Sequence, residues 1–261
     1  MELKFSKYQG TGNDFIMIDN LDGQWDNLSI KHIQQLCDRK FGIGADGLIK
    51  INSAKDVDFQ VDYYNADGSQ SFCGNGARCA VVFAHQLGIT QQTVSFAAID
   101  GLHSATKKVD LVALQMSNVL DWSKQEEGAL SLNTGSPHYI KWCSRIQEQD
   151  MVAYGKSIRY SPIYASEGIN VNLVEVLSEN QLAIRTYERG VEDETLSCGT
   201  GVTAAAIAAA IQQDRLGELS FSLSTQGGDL SVKFNRISDK QIEDIWLIGP
   251  AKHVFEGTIM F

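Results

Sequence analysis

The sequence predicts an α+β protein of two similar, pseudo-symmetric halves, each a curved, mainly antiparallel sheet or barrel wrapped around one buried helix. Cys-Gly-x-Gly occurs twice, at residues 73–76 and 198–201, and the two cysteines lie 125 positions apart in a chain of 261. Each copy opens a helical run, and the run over residues 202–213 is apolar on every side, as in buried helices. The flanking segments alternate polar and apolar residues, as strands do.

The first half contains strand-like and helix-like runs in a clear order. Residues 4–8 and 15–18 flank a Gly-Thr-Gly turn and predict a pair of strands. Ser29 is suited to cap one helix and Gly88 to end another, because hydroxyls cap helix starts and glycine follows helix ends. The predicted helices cover residues 30–40 and 77–87, and the remaining predicted strands cover 48–51, 57–64, 111–116 and the surroundings of Val94 and His103.

The second half repeats this plan loosely. A turn at residues 134–137 leads into a strand, and a loop over 188–197 leads to the second Cys-Gly-x-Gly. A hairpin is predicted over 171–177 and 181–187, and later strands near 219–223, 230–234, 245–248 and 255–261. We therefore expect a first domain over residues 1–118, joined by the last strand at about 251–261, and a second over 119–250. The two cysteines would then face one active site in the cleft between the domains.

Composition argues against several functions. The net charge is −10 and no Lys/Arg-rich run occurs, which argues against binding nucleic acid or anionic lipid. The longest run of small apolar residues, 204–211, is far below the roughly 18 residues that a membrane span needs, and the first residues lack a signal-peptide core. The cysteines are odd in number and irregularly spaced, so they predict free thiols and a cytoplasmic protein. They are Cys37, Cys73, Cys79, Cys143 and Cys198.

Two further kinds of site are not favoured. Residues 42–47 match Gly-x-Gly-x-x-Gly, but a predicted helix precedes them and a strand follows, the reverse of a dinucleotide site. A glycine-rich turn is the better interpretation. Metal-ligand spacing is also absent among the cysteines and histidines of the sequence, so no metal is expected.

A cysteine at a helix start lies among free backbone N–H groups and at the positive end of the helix dipole, which favours a thiolate. Two such groups suit the inversion of a carbon next to a carboxylate: a thiolate removes the proton from one face and a thiol returns one to the other. Backbone N–H groups of the Gly-x-Gly segments would stabilise the negative charge that develops on the carboxylate. The pattern therefore predicts Cys73 and Cys198 as a base and acid pair.

The sequence closely resembles the diaminopimelate epimerase family, whose members act without pyridoxal phosphate in lysine and peptidoglycan precursor synthesis. The resemblance covers essentially the whole chain. Its most specific parts are residues 10–15, 65–69, 73–79, 188–190, 194–195 and 198–201. It implies interconversion of LL- and meso-diaminopimelate, no cofactor, and a homodimer.

The resemblance also implies roles for individual residues. Cys73 and Cys198 would be catalytic, and Gly74, Asn75, Gly199 and Thr200 would bind the carboxylate at the reacting centre. Asn13, Asn65, Asn170 and Arg189 would bind the distal end of the substrate, and Glu188 would contact substrate and, with His138, tune protonation near the thiols. Gly47 and Ser136 depart from the family pattern of a glutamine and an asparagine, so contacts there are expected to differ.

Two alternatives remain open at this point. A racemase of the proline type would use the same pair of thiols, but Arg189 and the amides suit a substrate with a second charged end. The two cysteines could instead form a regulatory redox pair in a binding protein, although the sequence lacks Cys-x-x-Cys.

Overall fold

The computed structural model describes residues 2–89 and 91–260. Its α-helices are α1 (Ile30–Cys37), α2 (Gly74–Gln86), α3 (Met151–Arg159) and α4 (Gly199–Gln212). The strands up to the middle of the chain are β1 (Glu2–Gly10), β2 (Asn13–Asn20), β3 (Gly47–Asn52), β4 (Phe59–Asn65), β5 (Thr93–Ala98), β6 (Gly101–Lys107), β7 (Leu111–Gln115), β8 (Trp122–Lys124) and β9 (Leu130–Asn133). The later strands are β10 (Pro137–Trp142), β11 (Asn170–Ser178), β12 (Gln181–Glu188), β13 (Asp193–Thr195), β14 (Gly217–Thr225), β15 (Gly228–Ser238), β16 (Gln241–Pro250) and β17 (Lys252–Met260).

The chain divides into two compact units. The first unit comprises the residues up to Leu114 together with those from Gly249 onward, and the second runs from Gln115 to Ile248. The polar stretch at 118–133, which marks the predicted boundary, carries β8 and β9 and belongs to the second unit.

The two units share one order of strand pairing. In the first, β1 and β2 are antiparallel, β3 joins β2 in parallel, β4 joins β3 antiparallel and β5 joins β4 in parallel. In the second, β9, β10, β11, β12 and β14 pair in the same sequence of directions. Two further antiparallel strands complete each series. They are β6 and β7 in the first unit and β15 and β16 in the second. The predicted α+β fold of two similar, mainly antiparallel units is therefore confirmed.

The helices occupy equivalent places in this repeat. A short helix follows the second strand of each series, α1 after β2 and α3 after β10. A long helix follows the fourth, α2 after β4 and α4 after β12, and contacts most strands of its own unit. Both long helices are largely buried. Burial of each valine or isoleucine side chain that is fully enclosed in α4 stabilises the folded protein by roughly 1.5–3 kcal/mol.

Several local predictions need correction. The first helix ends at Cys37 rather than near 40, because the Asp38 carboxylate accepts from the N–H groups of Lys40 and Phe41 and forms a turn. Both long helices begin at the first glycine of Cys-Gly-x-Gly, three residues earlier than predicted. Helix α3 was not predicted from the sequence. In the described part of the chain, every helix is too short or too polar to cross a lipid bilayer.

Candidate active site

Each long helix is capped by one of the two predicted cysteines. Cys73 is the N-cap of α2 and its Sγ accepts from the N–H of Gly76 at 3.5 Å. Cys198 is the N-cap of α4 and has nearly the same backbone conformation, φ −117° and ψ 110° against φ −131° and ψ 114° at Cys73. The dipole of a buried helix therefore points its positive end at each sulfur.

In the first unit, Cys73 is joined to Asn13. The Cys73 thiol donates to Oδ1 of Asn13 at 3.4 Å, and Nδ2 of Asn13 donates to the Asp46 carboxylate at 2.5 Å. Asp46 also accepts from Arg39, which binds Asp14 as well. The Asn13 amide is thus oriented by Asp46, which lies in the irregular segment that leads into β3. The role of Asp46 was not predicted from the sequence.

Asn65 and Asn75 are both held by neighbouring side chains. Asn65 accepts from the Tyr63 hydroxyl at 2.8 Å and donates to Oγ of Ser69 at 3.0 Å, so it fixes the loop that leads to Cys73. Asn75 is buried in the first turn of α2, beside Gly74, and its Oδ1 accepts from Nη2 of Arg78 at 3.0 Å. The guanidinium of Arg78 is completely buried and has no carboxylate partner among the described residues.

Gly47, where the family pattern has a glutamine, is required by its surroundings. A Cβ at this position would lie 2.4 Å from Cε2 of Tyr63 and 2.6 Å from the carbonyl oxygen of Tyr64. Both distances are shorter than any tolerable contact between nonbonded heavy atoms. The Tyr63 ring takes this space, and its hydroxyl supports Asn65.

In the second unit, Cys198 lies beside Thr200 and Glu188. Sγ of Cys198 lies 3.4 Å from Oγ1 of Thr200, which in turn lies 2.9 Å from Nε2 of His138. Burial raises the pKa of the Cys198 thiol well above its ordinary value, and the Glu188 carboxylate acts in the same direction, whereas hydrogen bonds from Thr200 and from the Gly201 N–H oppose them. At this cysteine burial outweighs the helix terminus, so the thiol form is favoured over the expected thiolate.

His138 is a neutral, buried imidazole. Burial is the largest cause that lowers the pKa of His138 to about 3, and the positive charge of Arg189 acts in the same direction. Its ring is fully inaccessible and packs under the first turn of α4, where a Cβ on Gly201 would come within 3.3 Å of Cε1. Asn172 lies beside the same ring and was missed. Strand alternation from Asn170 could have found it, since residues two apart share a face.

Asn170, Ser136 and Arg189 form a connected group. Asn170 donates to Oγ of Ser136 at 2.8 Å, and its Oδ1 accepts from the backbone N–H of Arg189 at 2.8 Å. The exposed Arg189 side chain donates to the carbonyl oxygen of Glu167 at 2.8 Å. Glu188 accepts from Thr195 at 2.6 Å. Ser136 therefore engages Asn170 in place of the longer amide of the family pattern.

The other cysteines differ from this pair in their surroundings. Burial raises the pKa of both Cys37 and Cys79 to about 12, and it raises the pKa of Cys143 as well. Cys37 and Cys79 are buried side chains within helices. Unlike Cys73 and Cys198, neither lies at the start of a helix, so neither has the free N–H groups of a helix N-terminus beside its sulfur.

Several solved structures have a fold similar to that of this chain. It matches a PhzF-family phenazine biosynthesis protein from Bacillus anthracis with a TM-score of 0.76 and 13% identity, covering 100% of both chains. A probable proline racemase from Agrobacterium radiobacter matches with a TM-score of 0.69 and 14% identity, covering 99% of this chain and 93% of the other. The chain thus has the fold of these proteins.

Sequence relatives narrow this class to one family. The model of the diaminopimelate epimerase family matches residues 5–119 and 130–254. A diaminopimelate epimerase of Flavobacterium psychrophilum is 48% identical over 98% of this chain and 100% of its own length. Another, of Chlorobaculum tepidum, is 41% identical over 96% of this chain and 98% of its own. The chain belongs to the diaminopimelate epimerase family, as its motifs predict.

Proposed function

We propose that the protein interconverts LL- and meso-diaminopimelate in lysine and peptidoglycan precursor biosynthesis. The observation that carries this proposal is the cysteine N-cap on the central helix of each unit. Full-length relatives that bear the name diaminopimelate epimerase, up to 48% identical, support the choice of substrate. The protein is then an isomerase that moves one proton at a carbon centre.

In this proposal Cys73 and Cys198 act on opposite faces of the same α-carbon. One thiolate takes the α-proton and leaves its electron pair on the carbon and the adjacent carboxylate. The opposite thiol donates its proton to the other face, so one thiol and one thiolate remain at the end with their roles exchanged. The raised pKa of Cys198 supports the thiol role in the resting enzyme. Both transfers use side chains of the chain, so the scheme needs no cofactor.

We propose that the reacting carboxylate binds at the two helix starts. Gly74 and Gly199 leave the backbone N–H groups open to a ligand, and Asn75 and Thr200 follow them in the same turns. Arg78 supports this role because its Nη2 donates to Oδ1 of Asn75 and so fixes the amide in the first turn of α2.

The distal end of diaminopimelate carries an ammonium and a carboxylate. We assign its recognition to Asn13, Asn65, Asn170 and Arg189, and the tuning of the thiols to His138 and Glu188. The exposed guanidinium of Arg189 suits a carboxylate, which it can hold through two parallel hydrogen bonds. Proline has no second charged end, so this set favours diaminopimelate over a substrate of the proline type.

The test is epimerisation of LL-diaminopimelate in deuterium oxide. The wild-type protein is expected to exchange the α-hydrogen with solvent, while Cys73→Ser and Cys198→Ser each lose epimerisation. Near-full activity in either variant would refute the two-thiol mechanism. Proline is the matched alternative substrate, and turnover of proline but not of diaminopimelate would refute the substrate assignment.

A second experiment separates the enzyme from a redox-regulated binding protein. If the thiols flank one carbon, mild oxidation should link Cys73 to Cys198, abolish activity, and be reversed by reductant. Mass spectrometry of the peptides identifies the link. Absence of this link would contradict facing thiols. A link together with no proton exchange in the reduced protein would favour the redox pair instead.

We also propose a cytoplasmic homodimer. All five cysteines are free, which suits a reducing compartment. On β17, which pairs with β1 in the first unit, the apolar side chains of Val254, Phe255 and Met260 are about half exposed or more. Exposed apolar strands are common places of association. Light scattering should give twice the chain mass for the wild type, and Phe255→Glu should give a monomer.

A further inference from the structure

A chain of buried polar side chains lies beneath the start of α4. Nδ2 of Asn172 lies 3.1 Å from Nδ1 of His138, whose Nε2 lies 2.9 Å from Oγ1 of Thr200. The same hydroxyl lies 3.4 Å from Sγ of Cys198. His138 and Asn172 are completely buried. Three side chains, one each from β11, β10 and the first turn of α4, thus connect the interior of the unit to the thiol.

Two neighbours fix which way the Asn172 amide points. Its Nδ2 donates to the carbonyl oxygen of Tyr139 at 3.0 Å, and its Oδ1 accepts from the Thr186 hydroxyl at 2.9 Å. A backbone carbonyl can only accept, so the nitrogen must face it. The second hydrogen of this NH₂ group is directed at Nδ1 of His138, which lies 3.1 Å from Nδ2 and is closer than the Asn170 carbonyl oxygen at 3.5 Å.

This orientation decides the tautomer of His138. A ring nitrogen that accepts a hydrogen bond carries no proton, so in the neutral imidazole the proton is on Nε2. Nε2 then donates to Thr200, and the hydroxyl of Thr200 is free to donate to Cys198. Asn170 also approaches Nε2, at 3.5 Å, but its nitrogen donates to Ser136 at the shorter distance of 2.8 Å.

The first unit has no such chain at the equivalent positions. The registers pair Phe15 with Gly47 and His138 with Asn170, so Phe15 corresponds to His138 and Ile49 to Asn172. Phe15 and Ile49 are apolar and pack on Gly76, as His138 and Asn172 pack on Gly201. A polar chain in only one of two matching places is not needed by the fold itself.

We propose that Asn172 is a positioning residue that, through the tautomer of His138, holds the Thr200 hydroxyl as a hydrogen-bond donor to the Cys198 thiolate. The role of this thiolate as a base rests on the proposed function. Cys198 is half-buried and faces the Glu188 carboxylate from β12, and both its partial burial and this carboxylate disfavour negative charge on the sulfur. The Thr200 hydroxyl opposes them in the half-reaction in which Cys198 removes the proton. Arg189 and His138 are the other charged or titratable groups near this chain.

The first test reads the tautomer directly. Nitrogen-15 NMR of the wild-type protein at neutral pH is expected to show a neutral His138 with its proton on Nε2. The Nδ1–H tautomer, or an imidazolium, would overturn the proposal. This measurement needs no substrate and no variant, so it separates this proposal from the proposed function.

The second test measures thiolate at each cysteine separately. Below the pKa, the rate of alkylation by iodoacetamide is proportional to the thiolate fraction. Asn172→Leu keeps the side-chain size but cannot donate, and the rate at Cys198 at pH 8 is expected to fall about tenfold. The rate at Cys73 in the same molecules should stay unchanged and serves as the internal control. The epimerase kcat/KM should fall by a similar factor.

Further variants distinguish the chain from a loss of packing. Thr200→Val should lower alkylation of Cys198 by a similar factor, Thr200→Ser should preserve it, and Asn172→Leu combined with Thr200→Val should add no further loss. Thr203→Val is the matched control, because it removes another buried hydroxyl of α4, one that donates to the Gly199 carbonyl. An unchanged rate at Cys198 in a folded Asn172→Leu protein, or an equal fall in Thr203→Val, would overturn the proposal.

Discussion

Oδ1 of Asn13 lies 3.4 Å from Sγ of Cys73, and the Asp46 carboxylate fixes the orientation of that amide from its other end. The hairpin turn between β1 and β2 therefore reaches the cysteine at the start of α2. The family resemblance assigns Asn13 to the distal end of the substrate, whereas in the structure its Oδ1 contacts the Cys73 thiol. A bound substrate would have to share this amide with Cys73.

Asn13→Ala should impair catalysis far more than folding. Loss of the amide removes a hydrogen bond to Cys73 and the donor that we assign to the substrate, so kcat/KM is expected to fall roughly 10- to 100-fold. The free energy of unfolding should change by less than about 1 kcal/mol, since Asn13 is only half-buried. Steady-state kinetics and denaturant unfolding measure the two quantities. Gln9→Ala, which removes another side-chain contact of the same turn, should retain activity. Equal kinetic losses in both variants would assign the effect to the turn.

Stability should depend on pH through His138. The unfolded chain binds a proton at this side chain below about pH 6.5, while the folded protein does not until about pH 3. Stability from the neutral ring is thus complete above pH 6.5 and declines as the pH falls toward 3, by roughly 3 kcal/mol at pH 4. His138→Gln lacks this component, so its unfolding free energy should fall less steeply. Urea unfolding from pH 7 to 4 measures the difference, and parallel curves would contradict a buried neutral imidazole.

The loop that follows Arg189 should depend on Glu192. This carboxylate accepts from Arg159 at 3.2 Å, from Tyr160 at 2.9 Å and from Tyr187 at 3.1 Å. Glu192→Ala is expected to cost about 2 kcal/mol and to speed hydrogen exchange over residues 189–197. Asp193→Ala is the neighbouring control, because the exposed Asp193 accepts only a local hydrogen bond from Glu194. If both variants exchange alike, Glu192 does not anchor the loop.

Gly47→Ala should destabilise the first unit. The added Cβ would meet the Tyr63 ring and the Tyr64 carbonyl, so either the ring or the strand must move, at a cost of roughly 2–4 kcal/mol. Thermal unfolding measures this cost. Displacement of Tyr63 would also release Asn65, so KM for diaminopimelate should rise. A variant as stable as the wild type would show that β3 and β4 can separate without strain.

The elements with strong periodicity or composition were predictable from sequence. Helix α4 is apolar all round and could hardly be anything but a buried helix. Helix α3 escaped prediction because Gly155 interrupts its centre, where glycine usually argues against a helix. The structure gives the reason: a Cβ at Gly155 would lie 2.4 Å from Cγ of Tyr187. The glycine is required by packing between elements, which no local pattern reports.

The residues of the candidate site were also only partly predictable from the sequence. Cys73 and Cys198 were identifiable because each motif carries its own local context, a helix start with glycines. Asn172 has no motif, and its importance depends on the direction of one amide that is set by Tyr139 and Thr186. Burial at Cys198 is likewise a property of the folded unit. A thiolate was expected there from the helix start alone, and the surrounding protein reverses that expectation.

The pairing of β1 with β17 also bears on how the protein is made. Glu2 pairs with Met260, so the first strand of the chain completes its sheet only with residues synthesised some 250 positions later. On the ribosome, all of the second unit emerges before that partner does. The edge of β1 that pairs with β17 therefore stays unpaired while the second unit is able to fold. Contacts between residues this distant in sequence also form slowly. Chaperone dependence during translation is expected to lie with the first unit.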